Sequence, residues 1–338
     1  MHETSARQAG APVLSYAEAV NAALRRALAE RDDTILFGED VGLPGGVHGV
    51  TRRLRRDFGD RVFDTPISES AILGGAVGAA MMGRRPIVEI MWVDFTFVAF
   101  DQILNQAANV RYVSQGRLSA PLTMRTQQGA TPGSCAQHSQ SLEAFFAHVP
   151  GLRVCLPATP QDAYDLTLAA IACEDPAVVI ESRALYHSLK EPVNLDAPWP
   201  EIGGARIARP GSDITVVTWG ATLHPVLAAA RQLAGTGIDA EIIDLRWLSP
   251  LDDRTVFSSL ARTGRLAVAH DANLTGGFGA EIVSRVAERG QRLLAPPLRI
   301  ATDDLRIPAA PHLQAAAIPG ASAIAEQLTS ALRARQVA

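Results

Sequence analysis

The chain has 338 residues, of which 47% are hydrophobic and 20% are charged, and its formal net charge is −4. This composition allows a large buried core, excludes a globally disordered chain, and at this length suggests two domains. The sequence has no run rich in lysine and arginine, which argues against a surface for nucleic acid or for an anionic membrane. No apolar run reaches the roughly 20 residues that a membrane helix needs, so we expect no membrane partner.

The N-terminal residues 1–13 contain no apolar segment typical of a signal peptide, and we expect them to form a flexible tail. The three cysteines, Cys135, Cys155 and Cys173, are too few and too widely spaced for a disulfide framework or a zinc site. We therefore expect a cytoplasmic protein.

Helices and strands alternate from residue 14 onwards. Ser15 and Glu18 have the spacing of a capping box, which predicts a helix that continues to about Glu30. The predicted strands that follow are 34–37, 61–63, 86–90, 121–125, 153–156 and 177–181, and the predicted helices are 51–58, 69–83, 95–113 and 160–173. This alternation predicts a mostly parallel sheet covered by helices, which we assign to a first α/β domain over residues 14–185.

Prolines and glycines then crowd residues 186–211, which indicates a connecting segment. The alternation resumes with strands predicted at 214–218, 240–245, 265–269 and 298–301, and helices at 222–233, 253–262, 278–289 and 321–335. We therefore predict a second, smaller α/β domain over residues 212–338.

Glu69 lies where a predicted strand meets a nearly all-apolar helix of small residues. In parallel α/β sheets, ligands bind beyond the carboxyl ends of the strands, close to helix N-termini. A carboxylate at that place suits a functional site. It would also stabilise the helix N-terminus by about 0.3–1 kcal/mol without any further role, and the spacing alone leaves both interpretations open.

Other polar stretches also follow predicted strands. His138 lies in the loop sequence AQHSQS, and histidine is the commonest general acid or base. Taken alone, however, this position favours an ordinary loop histidine bonded to a backbone carbonyl. Glu39 and Asp40 could bind a metal or relay protons, or could simply form a turn. The glycine-rich TGGFG at 275–279 lacks the full dinucleotide-binding pattern and is predicted to be a tight turn before a helix.

Several longer stretches occur in a fixed order, namely FGEDVG, GGVHGVT, RVFDTPISE, RPIVEIMWVDF, DQILNQAA and AQHSQS. Together they resemble the beta subunit of the thiamine-diphosphate-dependent decarboxylating component of 2-oxo acid dehydrogenase complexes, which include the pyruvate, branched-chain and acetoin enzymes. The resemblance covers about residues 14–330. It implies a transketolase-like pyrimidine-binding domain followed by a transketolase C-terminal-like domain.

The resemblance also implies roles for individual residues. Glu69 of TPISE would hydrogen-bond the aminopyrimidine ring of thiamine diphosphate and promote loss of the thiazolium proton. Phe95 would pack on that ring, and Ile67 would add an apolar contact. His138 would orient the 2-oxo acid or serve acyl transfer to a lipoyl group, and Glu39 would line a polar channel between two active sites.

Partners and metals follow from the same resemblance. The Mg²⁺ that binds the cofactor diphosphate is usually held by a GDG motif and an asparagine, and no GDG motif occurs in this sequence. An alpha subunit would therefore complete each site in an α2β2 assembly, with the helix at 69–82 and the second domain as candidate interfaces. A dihydrolipoamide acyltransferase core is a further expected partner. Some relatives bind a monovalent cation such as K⁺ through backbone carbonyls, and the matching positions here are Leu122, Ala170, Ile171 and Asp175.

Three alternatives compete with this hypothesis. A fragment of another thiamine enzyme, such as transketolase or deoxyxylulose-phosphate synthase, would not carry AQHSQS. A non-catalytic or specialised-pathway transketolase-like assembly subunit would have no need to keep Glu69, Phe95 and His138 together. A nucleotide-binding dehydrogenase rests on the α/β alternation alone, which does not define function.

Overall fold

The computed structural model describes residues 10–333, which divide into two compact units. The first unit contains residues up to 128 together with 145–202, and the second contains 129–144 together with the residues from 203 onwards. Over the described range, no helix combines the length and the apolar character that crossing a membrane would require.

The elements up to residue 202 follow the predicted alternation. The strands are β1 (Val13–Ser15), β2 (Thr34–Gly38), β3 (Val62–Asp64), β4 (Arg85–Ile90), β5 (Thr123–Gln128), β6 (Arg153–Cys155), β7 (Ala177–Ser182) and β8 (Lys190–Pro192). The helices are α1 (Tyr16–Glu30), α2 (Leu54–Phe58), α3 (Glu69–Met81), α4 (Val110–Val113), α5 (Glu143–Ala147) and α6 (Pro160–Ala172).

The first unit is organised by a parallel sheet whose strands follow the order β6-β7-β5-β4-β2-β3. Every residue of β4, β5 and β7 is buried, as expected for strands that are covered on both faces. The capping box of α1 forms as predicted, because the Ser15 hydroxyl accepts the Glu18 N–H at 3.2 Å and the Glu18 carboxylate accepts the Ser15 N–H at 2.7 Å. Since the strands are parallel, their carboxyl ends meet at one edge of the sheet.

The segment predicted as one helix over 95–113 is helical, but it is not a continuous α-helix. The segment forms a 3₁₀ helix at Val93–Ala99, a π-helical turn at Gln102–Ala107 and the short α4. The Thr96 hydroxyl donates to the Val93 carbonyl at 2.6 Å, a local bond that competes with regular helical bonding. Apolar spacing predicts a helical segment but does not distinguish these three windings.

The two units differ from the predicted domains in two places. Residues 129–144 cluster with the second unit, although they fall inside the predicted first domain. The predicted connecting segment 186–211 also contains structure, since β8 pairs antiparallel with β1 and a later strand joins the second sheet. The last change from the first unit to the second falls between residues 202 and 203, inside the predicted connecting segment.

The second unit has its own mostly parallel sheet, with the order β14-β13-β10-β11-β9, in which β9 is antiparallel to β11. Its strands are β9 (Arg206–Arg209), β10 (Ile214–Thr218), β11 (Ala240–Asp244), β13 (Leu266–Asn273) and β14 (Leu298–Thr302), and the short β12 (Trp247–Ser249) follows β11 in the chain. The helices are α7 (Leu223–Ala234), α8 (Asp253–Thr263), α9 (Gly279–Glu288), α10 (Pro311–Ala317) and α11 (Ala321–Arg333).

The glycines of TGGFG have a packing role. His270 on β13 is fully buried and stacks on Trp219, with ring centroids 5.2 Å apart. A Cβ atom would lie 2.6 Å from the His270 ring at Gly277 and 2.7 Å from it at Gly279. Both positions therefore require glycine because the imidazole approaches the backbone before α9.

Candidate functional site

The carboxyl edge of the first sheet carries Glu39, which directly follows β2. Gly38 precedes it with φ of 154°, and a Cβ there would lie 2.6 Å from the Glu89 carbonyl oxygen of the neighbouring strand. The Gly38 carbonyl accepts the Thr65 N–H at 3.0 Å, which joins the ends of β2 and β3. Glycine at this position thus lets the polar residues after the two strands come together.

Glu69 lies at the same edge, as the first residue of α3, and is partly exposed. Burial, with additional repulsion from the Asp40 and Glu69 carboxylates, raises the pKa of Glu39 above its ordinary value. The structure therefore brings Glu39 and Glu69 close enough for their charges to interact. The raised pKa means that Glu39 keeps its proton to a higher pH than an isolated carboxyl group would.

Ile67 and Phe95 provide apolar surface beside these acids. The side chain of Ile67, just before α3, is 72% exposed. Phe95 lies in the 3₁₀ helix and packs edge-to-face against Trp92, with ring centroids 5.9 Å apart. The Ser70 hydroxyl donates to the Val98 carbonyl at 2.6 Å, and this bond ties the Phe95 segment to the first turn of α3.

A buried ionic network supports the turn that leads to Phe95. Arg125 on β5 pairs with Glu89 at 2.7 Å and with both carboxylate oxygens of Glu181, at 2.7 and 2.8 Å. The Gln127 amide donates to Glu89 at 3.2 Å, and its oxygen accepts the Trp92 N–H at 3.3 Å. Burial alone would lower the pKa of Arg125, but the Glu181 and Glu89 carboxylates raise it. The chain of bonds fixes the backbone at Trp92, whose φ is 59°.

Sequence reasoning missed this network. The available signal was a charged residue inside each of three strands predicted for the interior of the sheet, with Glu89 on β4, Arg125 on β5 and Glu181 on β7. A charge of each sign in neighbouring buried strands indicates internal pairing, since an isolated buried charge is strongly unfavourable.

His48 of GGVHGVT is a further residue that sequence reasoning did not single out. Its ring is 5.2 Å from the Tyr186 ring and 6.2 Å from that of Trp92. Burial, the Arg183 guanidinium and His187 lower the pKa of His48, so its imidazole is neutral near pH 7.

The structure places His138 in the second unit. It ends a 3₁₀ turn at Ala136–His138, and the loop is braced by a 2.6 Å hydrogen bond between the hydroxyls of Ser134 and Ser139. The Gly133 N–H donates to the Ala309 carbonyl at 3.2 Å. The first unit thus carries Glu39, Ile67, Glu69 and Phe95, whereas His138 belongs to a well-bonded loop of the second.

Of the four positions matched to a monovalent cation site, three have backbone carbonyls that accept hydrogen bonds from the chain, and Asp175 is bound through its side chain. The carbonyl of Leu122 accepts the Ala177 N–H at 2.9 Å, and that of Ala170 accepts the Cys173 N–H at 3.2 Å. The Ile171 carbonyl accepts from an arginine at 3.1 Å. The Asp175 carboxylate binds two further arginines, at 2.5 and 2.7 Å.

Both units match known domain families. Residues 13–188 match "Transketolase, pyrimidine binding domain", and residues 203–324 match "Transketolase, C-terminal domain". In three dimensions the chain is similar to a structure titled "Split gene transketolase, inactive beta4 tetramer", with a TM-score of 0.77 and 21% identity over 94% of this chain and 98% of that one. The protein is therefore of the transketolase class, and the predicted pair of mostly parallel α/β domains is confirmed.

Curated relatives define the family within that class. The chain is 39% identical over 297 residues to the pyruvate dehydrogenase E1 component subunit beta of Bacillus subtilis, covering 87% of this chain and 91% of the relative. It is 41% identical over 326 residues to the acetoin:2,6-dichlorophenolindophenol oxidoreductase subunit beta of Cupriavidus necator, covering 90% and 96%. A mitochondrial 2-oxoisovalerate dehydrogenase subunit beta from Chaetomium thermophilum is 43% identical over 84% of this chain and 62% of the relative. The chain belongs to the family of 2-oxo acid dehydrogenase E1 beta subunits, as its sequence motifs predicted.

Proposed function

We propose that this chain binds the pyrimidine side of thiamine diphosphate and acts in the oxidative decarboxylation of a 2-oxo acid. The observation that carries the proposal is the edge of the first sheet, where Glu69 begins α3 beside exposed Ile67 and the Phe95 segment. Membership of a family of E1 beta subunits supports the same conclusion.

The residues at this edge fit the chemistry of an aminopyrimidine. Such a ring has apolar faces and a polar edge of nitrogen atoms, so it needs apolar packing and one well-placed carboxyl group. Phe95 and Ile67 supply the apolar packing, and Glu69 supplies the carboxyl group. The neighbouring Glu39 carboxyl has a raised pKa, so it keeps its proton to a higher pH than an ordinary carboxyl and adds less negative charge beside Glu69.

The chemistry that bound thiamine diphosphate supplies is that of a stabilised carbanion, which permits loss of CO₂ from a 2-oxo acid. The residues of this chain orient the cofactor and move protons. Glu69 hydrogen-bonds the ring nitrogen and holds or releases a proton at its carboxylate. Phe95 and Ile67 fix the ring plane. His138 orients the 2-oxo acid or serves acyl transfer to a lipoyl group.

An alpha subunit is part of the proposal. The relatives are named as beta subunits, and α3 exposes Ala71, Gly75 and Gly78 on one helical face. Such small residues let another backbone approach closely. We assign Mg²⁺ and the cofactor diphosphate to the alpha subunit of an α2β2 assembly, because this sequence lacks the GDG motif. Docking to a dihydrolipoamide acyltransferase core and a cytoplasmic location belong to the same proposal.

The test is the reduction of 2,6-dichlorophenolindophenol with pyruvate, with branched-chain 2-oxo acids and with acetoin. The chain is assayed alone and after co-expression with an alpha subunit, with and without thiamine diphosphate and Mg²⁺. We expect turnover only in the complete mixture. Turnover without thiamine diphosphate would contradict the proposal, and a stable but inactive complex would favour a non-catalytic assembly subunit.

Glu69→Gln provides the residue-level test. We expect this variant to assemble normally and to lose roughly 10²-fold or more in turnover, since it removes a proton-transferring group. Glu201→Gln, at an exposed glutamate of the same unit, is the matched control and should keep full turnover. Equal turnover in the two variants would refute the role of Glu69.

A further inference from the structure

The C-terminal end of α6 presents a cluster of backbone carbonyls. The last carbonyls of a helix have no partner within the helix and carry partial negative charge. Here the Ile171, Ala172 and Cys173 carbonyl oxygens all accept hydrogen bonds from one nitrogen of Arg85, Nη1, at 3.1, 3.4 and 2.9 Å. Oxygen clusters of this composition are also what a monovalent cation binds.

Arg85 is placed as a fixed positive charge. It is the first residue of β4, and its side chain is only 10% exposed. Its Nη2 pairs with the Glu174 carboxylate, and its Nε lies 3.7 Å from that of Asp33. The guanidinium group therefore lies among three carbonyls and two carboxylates, an environment that compensates a single positive charge.

The adjacent carboxylate is occupied in the same way. Asp175 accepts hydrogen bonds from Arg111 at 2.5 Å and from Arg153 at 2.7 Å. Burial alone would raise the pKa of Asp175, but the Arg153 and Arg111 guanidinium groups hold it below its ordinary value. Three arginines thus surround residues 171–175.

We propose that Arg85 serves as a built-in cation at this carbonyl cluster, so that the chain takes up no K⁺ there. The resemblance to relatives that bind a monovalent cation led us to expect a site on the backbone carbonyls near Leu122, Ala170, Ile171 and Asp175. Of these, the Ile171 carbonyl is already bound by Arg85. A cation approaching these carbonyls would meet the guanidinium of Arg85 and be repelled. The guanidinium instead joins the end of α6 to the start of β4.

The test is the thermal unfolding of the full chain in KCl, NaCl and choline chloride at equal ionic strength. We expect the unaltered chain to melt at the same temperature in all three salts. Arg85→Thr frees the carbonyls, so this variant should melt several degrees lower in choline chloride and recover part of the loss specifically in KCl. Arg84→Thr is the matched control, because Arg84 is the exposed neighbour, and it should melt close to the unaltered chain in every salt.

Three results would overturn the proposal. The first is a K⁺-specific rise in the melting temperature of the unaltered chain. The second is an Arg85→Thr variant whose melting temperature is the same in KCl and in choline chloride. The third is an equal drop in melting temperature in Arg85→Thr and Arg84→Thr. If Arg85→Thr does not fold, calorimetric titration of the unaltered chain with Tl⁺, a K⁺ substitute, measures directly whether the chain binds a monovalent cation. Saturable binding that K⁺ competes away would refute the proposal, and its absence would support it. Neither measurement involves substrate or cofactor, so failure here is separate from failure of the proposed function.

Discussion

Burial of His270 makes the acid stability of the second unit predictable. Its side chain is fully buried against Trp219, and burial, with a contribution from the Arg299 charge, lowers the pKa of His270 to about 4. In the unfolded chain a histidine has a pKa of about 6.5. The perturbation to make is His270→Phe, which keeps an aromatic ring against Trp219 and removes the titrating group.

The magnitude follows from the two pKa values. Because the folded pKa lies below the unfolded one, acid protonates the unfolded chain first and so favours unfolding. The free energy of unfolding is therefore unaffected by this histidine above about pH 6.5 and falls as the pH drops from there towards 4. The full difference amounts to about 3 kcal/mol of stability, reached only at the acid end of this range.

The assay is urea unfolding, followed by tryptophan fluorescence at a series of pH values from neutral down to about 4.5, which covers most of the titration. Carboxyl groups also begin to titrate over this range, so the quantity of interest is the difference in unfolding free energy between the unaltered chain and His270→Phe. We expect this difference to shift by about 2 kcal/mol or more in favour of the variant as the pH falls.

His312→Phe is the matched control, because His312 lies exposed on α10. We expect the His270→Phe difference to change with pH by clearly more than the difference for this control. If the two differences change equally, the imidazole of His270 is not held neutral by burial, and the reasoning is wrong.

Two further predictions concern the network and the loop. Arg125→Met leaves the buried carboxylates of Glu89 and Glu181 without their arginine, so we expect urea unfolding at neutral pH to show a free energy of unfolding lower by about 3–5 kcal/mol. Arg117→Met, at an exposed arginine, is the control and should lower it by less than about 0.5 kcal/mol. Equal losses in the two variants would contradict the buried pairing. In the assembled enzyme, His138→Ala should lower acyl transfer to a lipoyl group by roughly 10²-fold while calorimetry shows little change in thiamine diphosphate affinity, and a selective loss of that affinity would count against its assigned role.

Local interactions explain which parts of the fold were predictable. The capping box at Ser15 and Glu18 joins residues three positions apart, so it can be recognised without knowing the rest of the fold. The buried strands β4, β7 and β10 are short segments rich in valine and isoleucine, which is why they were predicted nearly to their ends. The winding of 93–113 was not predictable, because the same apolar spacing suits several helical forms.

The candidate site was predictable to a similar extent. Glu69 at the start of a helix and Glu39 after a strand can be located from sequence alone, since parallel strands bring such positions to one edge. Their electrostatic interaction depends on β2 and β3 being neighbours, which is a property of the sheet order.

The sequence by itself determined the class of the protein, through short motifs that can be recognised without knowing the fold. TPISE is an example, since it places Glu69 at the start of α3. Only the tertiary structure decided the partners of the buried charges. Arg125 meets Glu181 because β5 pairs with β7, and Arg85 meets the Ile171 carbonyl 86 residues further along the chain. A charge in an apolar strand indicates that a partner exists, but only the packing of distant segments determines which oxygen atoms surround it.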